Sequence, residues 1–236
     1  MGGAASHFGD TDWDKADGGL KEAAATFDGS NPTDSHSIFY LKGKSLVSQR
    51  DFEIKDEDNV LLYTTKPVEG TTKDFDLLDK DDNKLLHVHT NSSRSKWQIY
   101  SYKSTFEGQT PITDRGDVKV EEPLYRKAAV SITWDKYHGV VSLYEGTNPD
   151  DTQGILSKEH ILRIEEIKSI TAQFQSFVPK MSLLHPKLCG YWIREHTAKT
   201  DRVKMHLAKG TDVALHTILS VITNSVRVER QAENCQ

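Results

Sequence analysis

The sequence predicts a mainly β fold: many short antiparallel strands followed by one helix enclosed by protein. Two observations carry this. The first is a stretch near the end, Gly210 to Arg227, with no charged residue between Asp212 and Arg227 in a chain where 28% of residues are charged. At 100° per residue, Leu215, Ile218, Leu219, Val221, Ile222, Val226 and Val228 cover an arc of roughly 180°, wider than the apolar stripe of a surface helix. The opposite arc holds only small or neutral residues: His216, Thr217, Ser220, Thr223 and Asn224. The second observation is an internal repeat. Asp51–Asn59 leads into Leu61–Thr65, and Asp74–Asn83 leads into Leu85–His89, each a period-two strand, an acidic turn and a second strand. That is a β-hairpin pattern.

Taken in order, residues 1–36 read as a flexible tail rich in Gly, Ala, Asp and Ser, with one short helical pattern around Leu20–Phe27. Such a composition buries too little apolar surface to offset the cost of ordering. From Ile38 the chain alternates as strands: Ile38–Lys42, Ser45–Val47, the two repeated hairpins, then Lys96–Tyr102. Gly108 to Pro123 reads as a loop, and Leu124–Trp134 with Val140–Tyr144 as a hairpin. Ile155–Phe177 carries both helical spacing and β-branched content, the latter favouring strands for at least its second part. Lys187–Glu195 and Arg202–Leu207 supply two more strands before the helix, which Thr211 or Asp212 can cap. Burying its seven large apolar side chains, at about 1.5–3 kcal/mol each, makes this helix the largest single block of hydrophobic stabilisation. With about 14 uncharged residues, some of them polar, it falls short of the ~20 a membrane span needs. Residues 37–230 form one domain on this reading, and 231–236 a short tail.

The formal net charge of −5 disfavours bulk nucleic-acid binding. Cys189 and Cys235 build neither a disulfide framework nor a CxxC metal motif, and no apolar leader follows Met1. A cytoplasmic protein is the expectation, and Asn91-Ser92-Ser93 is then an inert sequon. Met1-Gly2-Gly3-Ala4-Ala5-Ser6 matches the pattern for N-myristoylation at Gly2; the plain alternative is a small, unmodified start.

No catalytic signature is present: Gly43-Lys44-Ser45 lacks the upstream glycine of a P-loop, and neither G-x-S-x-G nor H-E-x-x-H occurs. Asp10/Asp12/Asp14 and Asp79/Asp81/Asn83 have calcium-loop spacing but lack the closing Glu, so a solvated tail and a hairpin turn are the better readings. His87 and His89 share a strand face, yet without a third ligand they read as a surface or cross-strand pair. His216 reads as a satisfied core histidine. No catalytic residue, metal site or cofactor is expected. The candidate binding residues are basic: Arg94, Lys96 and Lys103 around Trp97, with Lys42 and Lys44 on an earlier strand, where cations beside an aromatic can grip a phosphorylated headgroup. The plain alternative for each is a solvated sheet face.

The Phe-x-Ile/Leu-x-Asp hairpins (Phe52–Asp56, Phe75–Asp79), the Ser95–Tyr100 strand and the terminal Lys209–Ile222 segment resemble the LURP-one-related family, itself similar in fold to tubby C-terminal domains and phospholipid scramblases. The resemblance covers about Ile38 to Val228 and departs from the pattern between Gly108 and Lys187. It implies a closed antiparallel barrel of about twelve strands threaded by the C-terminal helix. Together with the Gly2 pattern it leads to the expectation of a non-enzymatic binding module, reversibly membrane-tethered through Gly2 and recognising phospholipid or phosphoinositide headgroups. No tubby phosphoinositide motif maps onto these positions, and the cysteine-rich segment and inserting tail of scramblases are missing. A soluble protein-interaction domain with no lipid role is the second expectation, an enzyme of unknown type the third.

Overall fold

The computed structural model describes residues 33–233, leaving out 44–49, 72–73, 92, 94, 115–118, 134–137, 147–151, 169–172, 179–186 and 197–200. The strands are β1 (Ser37–Gly43), β2 (Phe52–Asp56), β3 (Leu61–Pro67), β4 (Phe75–Asp79), β5 (Lys84–Thr90), β6 (Lys96–Ser101), β7 (Ile112–Asp114), β8 (Lys119–Thr133), β9 (His138–Glu145), β10 (Ile155–Lys168), β11 (Gln173–Val178), β12 (Lys187–His196) and β13 (Asp201–Leu207), followed by helix α1 (Val213–Glu233). All belong to one antiparallel sheet in the order β6-β5-β4-β3-β2-β1-β13-β12-β11-β10-β9-β8-β7, and β6 also pairs with β8. The β6–β8 ladder runs from Lys96↔Ser131 to Ser101↔Tyr125.

The repeat in the sequence becomes two matching hairpins. In the first turn Asp56 and Val60 close the loop with Asn59 at φ +63°; in the second, Asp79 and Asn83 close it with Asp82 at φ +64°. Asn and Asp tolerate this left-handed backbone better than other non-glycine residues, which is why the acidic turns sit where they do. Asp79 accepts from the backbone N–H groups of Asp81 and Asn83 and from the Asn83 amide, at 2.8–2.9 Å. Those bonds, the Asn83 amide first, hold its carboxyl below the usual range. The turn satisfies its own carboxylate, as a hairpin should.

Helix α1 is enclosed. Leu215, Ile218, Leu219, Val221, Ile222 and Val226 are all fully buried. Every strand except β7 contributes to the single core that surrounds them, from Phe39 and Leu41 on β1 to Val203 and Met205 on β13. Asp212 caps the first turn through Oδ1, which accepts the Leu215 N–H at 2.6 Å. Most of the polar arc is buried too, and three hydroxyls on the helix bond back to it: Ser220 to Thr217 O, Thr223 to Leu219 O, Ser225 to Val221 O. Trp192 on β12 donates its indole N–H to Thr223 Oγ1 at 3.0 Å.

Three expectations are corrected. The loop expected over Gly108–Pro123 contains β7 and the start of β8; Ile112 and Leu124 pack on Tyr100 in a second small core, a long-range contact that local pattern does not weigh. The helix runs to Glu233, past the expected boundary at 230. The domain reaches back to Thr33: its N–H and carbonyl bond Thr211 and Gly210, and its hydroxyl donates to Ala208 O at 2.7 Å. The chain ahead of the helix has unpaired backbone groups, and Thr33 satisfies them. Ile155–Phe177 resolves into two strands, β10 and β11, which pair with each other. The expected strand at Ser45–Val47 and the tail before Thr33 lie outside the described residues.

Candidate functional site

A void at one end of the core, lined by Ile132, Gly139, Ile164, Phe174, Thr223 and Val226, amounts to about 10 Å³, which is about one water. His216 is fully buried and its Nδ1 bonds Asp212 O at 2.9 Å, a satisfied core histidine as expected. Burial lowers its pKa to about 4, the backbone bond only partly opposing that.

On the outer face of β4 and β5 the two histidines meet two aspartates. Asp74, just ahead of β4, and Asp76 within it flank the core residue Phe75, and His87 and His89 alternate with core residues on β5, so all four project outward. His87 Nδ1 bonds Asp76 Oδ1 at 2.7 Å and its Nε2 lies 3.5 Å from Asp74 Oδ2; His89 Nδ1 bonds Asp74 Oδ1 at 2.6 Å. The Tyr102 hydroxyl donates to Asp76 at 3.0 Å. Burial pushes the Asp74 carboxyl up, but the bonds from His87 and His89 outweigh it and hold the group well below the ordinary carboxylate range. The expected cross-strand pair is thus a buried charge network. Among the described residues no cluster of three or more His, Cys, Asp or Glu has the arrangement of a metal site. The alternation of Asp74/Asp76 with His87/His89 in the sequence was the signal for this pairing.

The predicted cations are dispersed. Lys96 opens β6 and Lys103 follows its far end, about 20 Å along the strand. Lys42 lies on β1, five strand positions from β6. Gly2, Lys44 and Arg94 lie outside the described residues. Trp97 faces inward and is fully buried, which removes it from the expected basic–aromatic patch; period-two alternation places it with Ile99 in the core.

A different cluster gathers around Lys42. On β1 the core takes Phe39 and Leu41, leaving Ile38, Tyr40 and Lys42 outside; on β13 it takes Val203 and Met205, leaving Arg202, Lys204 and His206. The registers align these residues in rows across four strands. Lys55, Tyr40, Lys204 and Ile193 form one, and Glu53, Lys42, Arg202 and Glu195 the next. Lys55 pairs with Glu53 at 3.0 Å and Arg202 with Glu195 at 2.7 Å. The Arg202 guanidinium also lies 4.2 Å over the Tyr40 ring. Beyond these rows His206 stacks between Tyr191 (4.6 Å between centroids) and His36 (5.4 Å), sharing a 3.3 Å hydrogen bond with His36. Burial, then Lys204 and His36, depress the His206 pKa to about 4 against a smaller opposing effect of Glu195. Of these residues only Lys42 was marked from the sequence. Lys55, Lys204 and Arg202 carry no local signal, because only the β1–β13 register brings them together.

No helix among the described residues is long and apolar enough to cross a membrane. Residues 37–140 match the family described as LURP-one-related. No curated protein matches the chain by sequence. In structure the chain is similar to the X-ray structure of a protein from Arabidopsis thaliana, with a TM-score of 0.52 and 15% identity, covering 83% of this chain and 93% of that one. That likeness in fold takes in more of the chain than the matched segment does. Over residues 37–140 the chain is thus similar to the LURP-one-related family.

Proposed function

We propose that this protein is a closed barrel that acts as a non-enzymatic binding module, held reversibly at membranes by an acyl group on Gly2 and recognising anionic phospholipid headgroups, phosphoinositides included. The β6–β8 ladder supports closure, since it gives the two ends of the twelve long strands a partner in each other. The observation that carries the binding reading is the filled interior. The apolar side chains of helix α1 occupy the space where a barrel of this kind would hold a small ligand, and among the described residues the void beside Thr223 and Val226 amounts to about 10 Å³. Recognition is then a matter for the outer surface, where Lys42, Lys96 and Lys103 are exposed.

One myristoyl chain gives an association constant of only about 10⁴ M⁻¹, so a stable tether needs a second, electrostatic contribution. Cations near an anionic bilayer supply about 1 kcal/mol each. The overall charge of −5 makes their location, rather than their number, the deciding property. The test has two steps. Intact mass of protein made in a eukaryotic host shows whether Gly2 carries the acyl group. Co-sedimentation of acylated and unacylated protein with neutral, phosphatidylserine and phosphoinositide vesicles then measures binding. Acylated protein should pellet with anionic vesicles and be released by salt. If it stays in the supernatant with every lipid mixture, the membrane reading fails and a soluble protein-interaction domain takes its place.

A further inference from the structure

We infer that the membrane-facing surface is the outer face of β2, β1, β13 and β12, with Lys42 and Lys204 as the two cations that meet lipid phosphates. The inference rests on the membrane reading above and specifies its surface. Charge complementarity selects this face. Lys42, Lys55, Arg202 and Lys204 stand on it against Glu53 and Glu195, an excess of two positive charges in a chain whose total is −5. Two of those cations are already neutralised by direct ion pairs, Lys55 by Glu53 and Arg202 by Glu195. Among the described residues Lys42 and Lys204 have no ion pair.

Their spacing suits a shared target. Lys42 is directly opposite Arg202 and Lys204 directly opposite Tyr40, so the two lysines are diagonal neighbours, with Cα atoms about 7–8 Å apart. Between them lies the flat Tyr40–Arg202 pair, held by the 4.2 Å cation–π contact. Tyrosine is enriched at the level of lipid headgroups, where an apolar ring and a polar tip are both accommodated. Ile38 and Ile193, half-buried on the same face, add apolar surface.

Lys96 and Lys103 are exposed as well, but they stand about 20 Å apart at opposite ends of β6. Lys66 and Lys84 are paired with Asp82 and Glu122. The outer face of β4 and β5 is taken up by the buried Asp74/Asp76/His87/His89 network. The acidic turns at Asp56–Val60 and Asp79–Asn83 project from one end of the sheet, and Lys42 and Arg202 lie toward the other, because Phe39 pairs with Asp56 while Gly43 pairs with Phe52. A molecule with this polarity presents its Lys42 end to an anionic bilayer and turns its acidic hairpins away.

The experiment uses full-length acylated protein and vesicles of phosphatidylcholine with about one-third phosphatidylserine, the anionic lipid class the surface potential argument requires. The Lys42→Ser/Lys204→Ser double variant is compared with Lys66→Ser/Lys84→Ser, which removes two cations already paired with Asp82 and Glu122, thermal melts confirming that both fold. At about 1 kcal/mol per cation, the first pair should lose roughly 30-fold in vesicle affinity and show a shallower salt dependence, and the second should change little. Inorganic phosphate at constant ionic strength should not compete, since the surface recognises an array of headgroups rather than one anion. Wild-type protein that binds while both double variants bind equally well would overturn this surface and leave the membrane reading standing. Efficient competition by inorganic phosphate would replace the bilayer by a soluble phosphorylated ligand. Wild-type protein that binds no vesicle would overturn both statements.

Discussion

Replacing Ile218 tests the enclosure of α1 most directly. The side chain is fully buried, and the core around the helix draws on twelve of the thirteen strands. Ile218→Ala removes apolar contacts on all sides and leaves a cavity that a continuous sheet cannot easily collapse around. Such truncations cost about 2–5 kcal/mol. With about 2–4 °C per kcal/mol for a domain of this size, the melting temperature should fall by about 4–20 °C. Ile218→Asp adds an unpaired charge to the same loss. The sum reaches the whole stability of a typical domain, about 5–15 kcal/mol, so the variant should not fold cooperatively at neutral pH. Circular dichroism melts of wild type and both variants at pH 7.5 decide the matter. If Ile218→Asp melts cooperatively within a few degrees of wild type, position 218 has access to water and the enclosed-helix argument is refuted.

Three further outcomes follow from particular contacts. A methyl group added at Gly190 would come within 2.7 Å of Leu207 Cδ2 and 2.8 Å of the His206 carbonyl oxygen; because that oxygen belongs to the β13 backbone, Gly190→Ala should cost about 1–3 kcal/mol in urea denaturation. His216 has its pKa lowered from 6.5 to about 4, so between those values the unfolded chain binds a proton that the native one refuses. Stability should therefore decline by about 3 kcal/mol as pH falls from 6.5 to 4, and His216→Gln should flatten that slope. Below this window the ionised Asp74 loses its contribution as well, since its carboxyl is held low in the native state. Urea titrations at pH 7.5, 6, 5 and 4 measure the histidine effect and a further point at pH 3 the carboxylate one, and equal slopes for wild type and His216→Gln between pH 6.5 and 4 would refute the assignment. Finally, a chain shortened to begin at residue 33 should melt like the full-length protein, whereas one beginning at 37 loses the Thr33 bonds to Ala208, Gly210 and Thr211 and should melt several degrees lower.

The sequence by itself determined the features that arise from neighbours along the chain. The charge-free Val213–Val226 run implied an enclosed helix because its apolar arc is too wide for a surface helix, and Asp212 caps that helix as its position suggests. The acidic turns at Asp56 and Asp79 were legible because a two-strand pattern about Asn and Asp admits few other conformations. His216 was legible as a satisfied core histidine, because it lies on the polar side of a helix too apolar to face water.

The tertiary structure decided what depends on register between distant strands. Pairing β1 with β13 sets Lys42 beside Arg202 and Tyr40 beside Lys204, residues from opposite ends of the domain. A slip of one position would turn every one of these side chains inward, and nothing local to Ile38–Lys42 specifies which residue of β13 each one meets. The same dependence sends Trp97 into the core and separates Lys96 and Lys103 from Lys42. It lays Ile112 and Leu124 over Tyr100 and brings Thr33 back to the start of α1. Local periodicity tells a side chain which face it takes; only the closing of long-range pairs tells it whom it meets there.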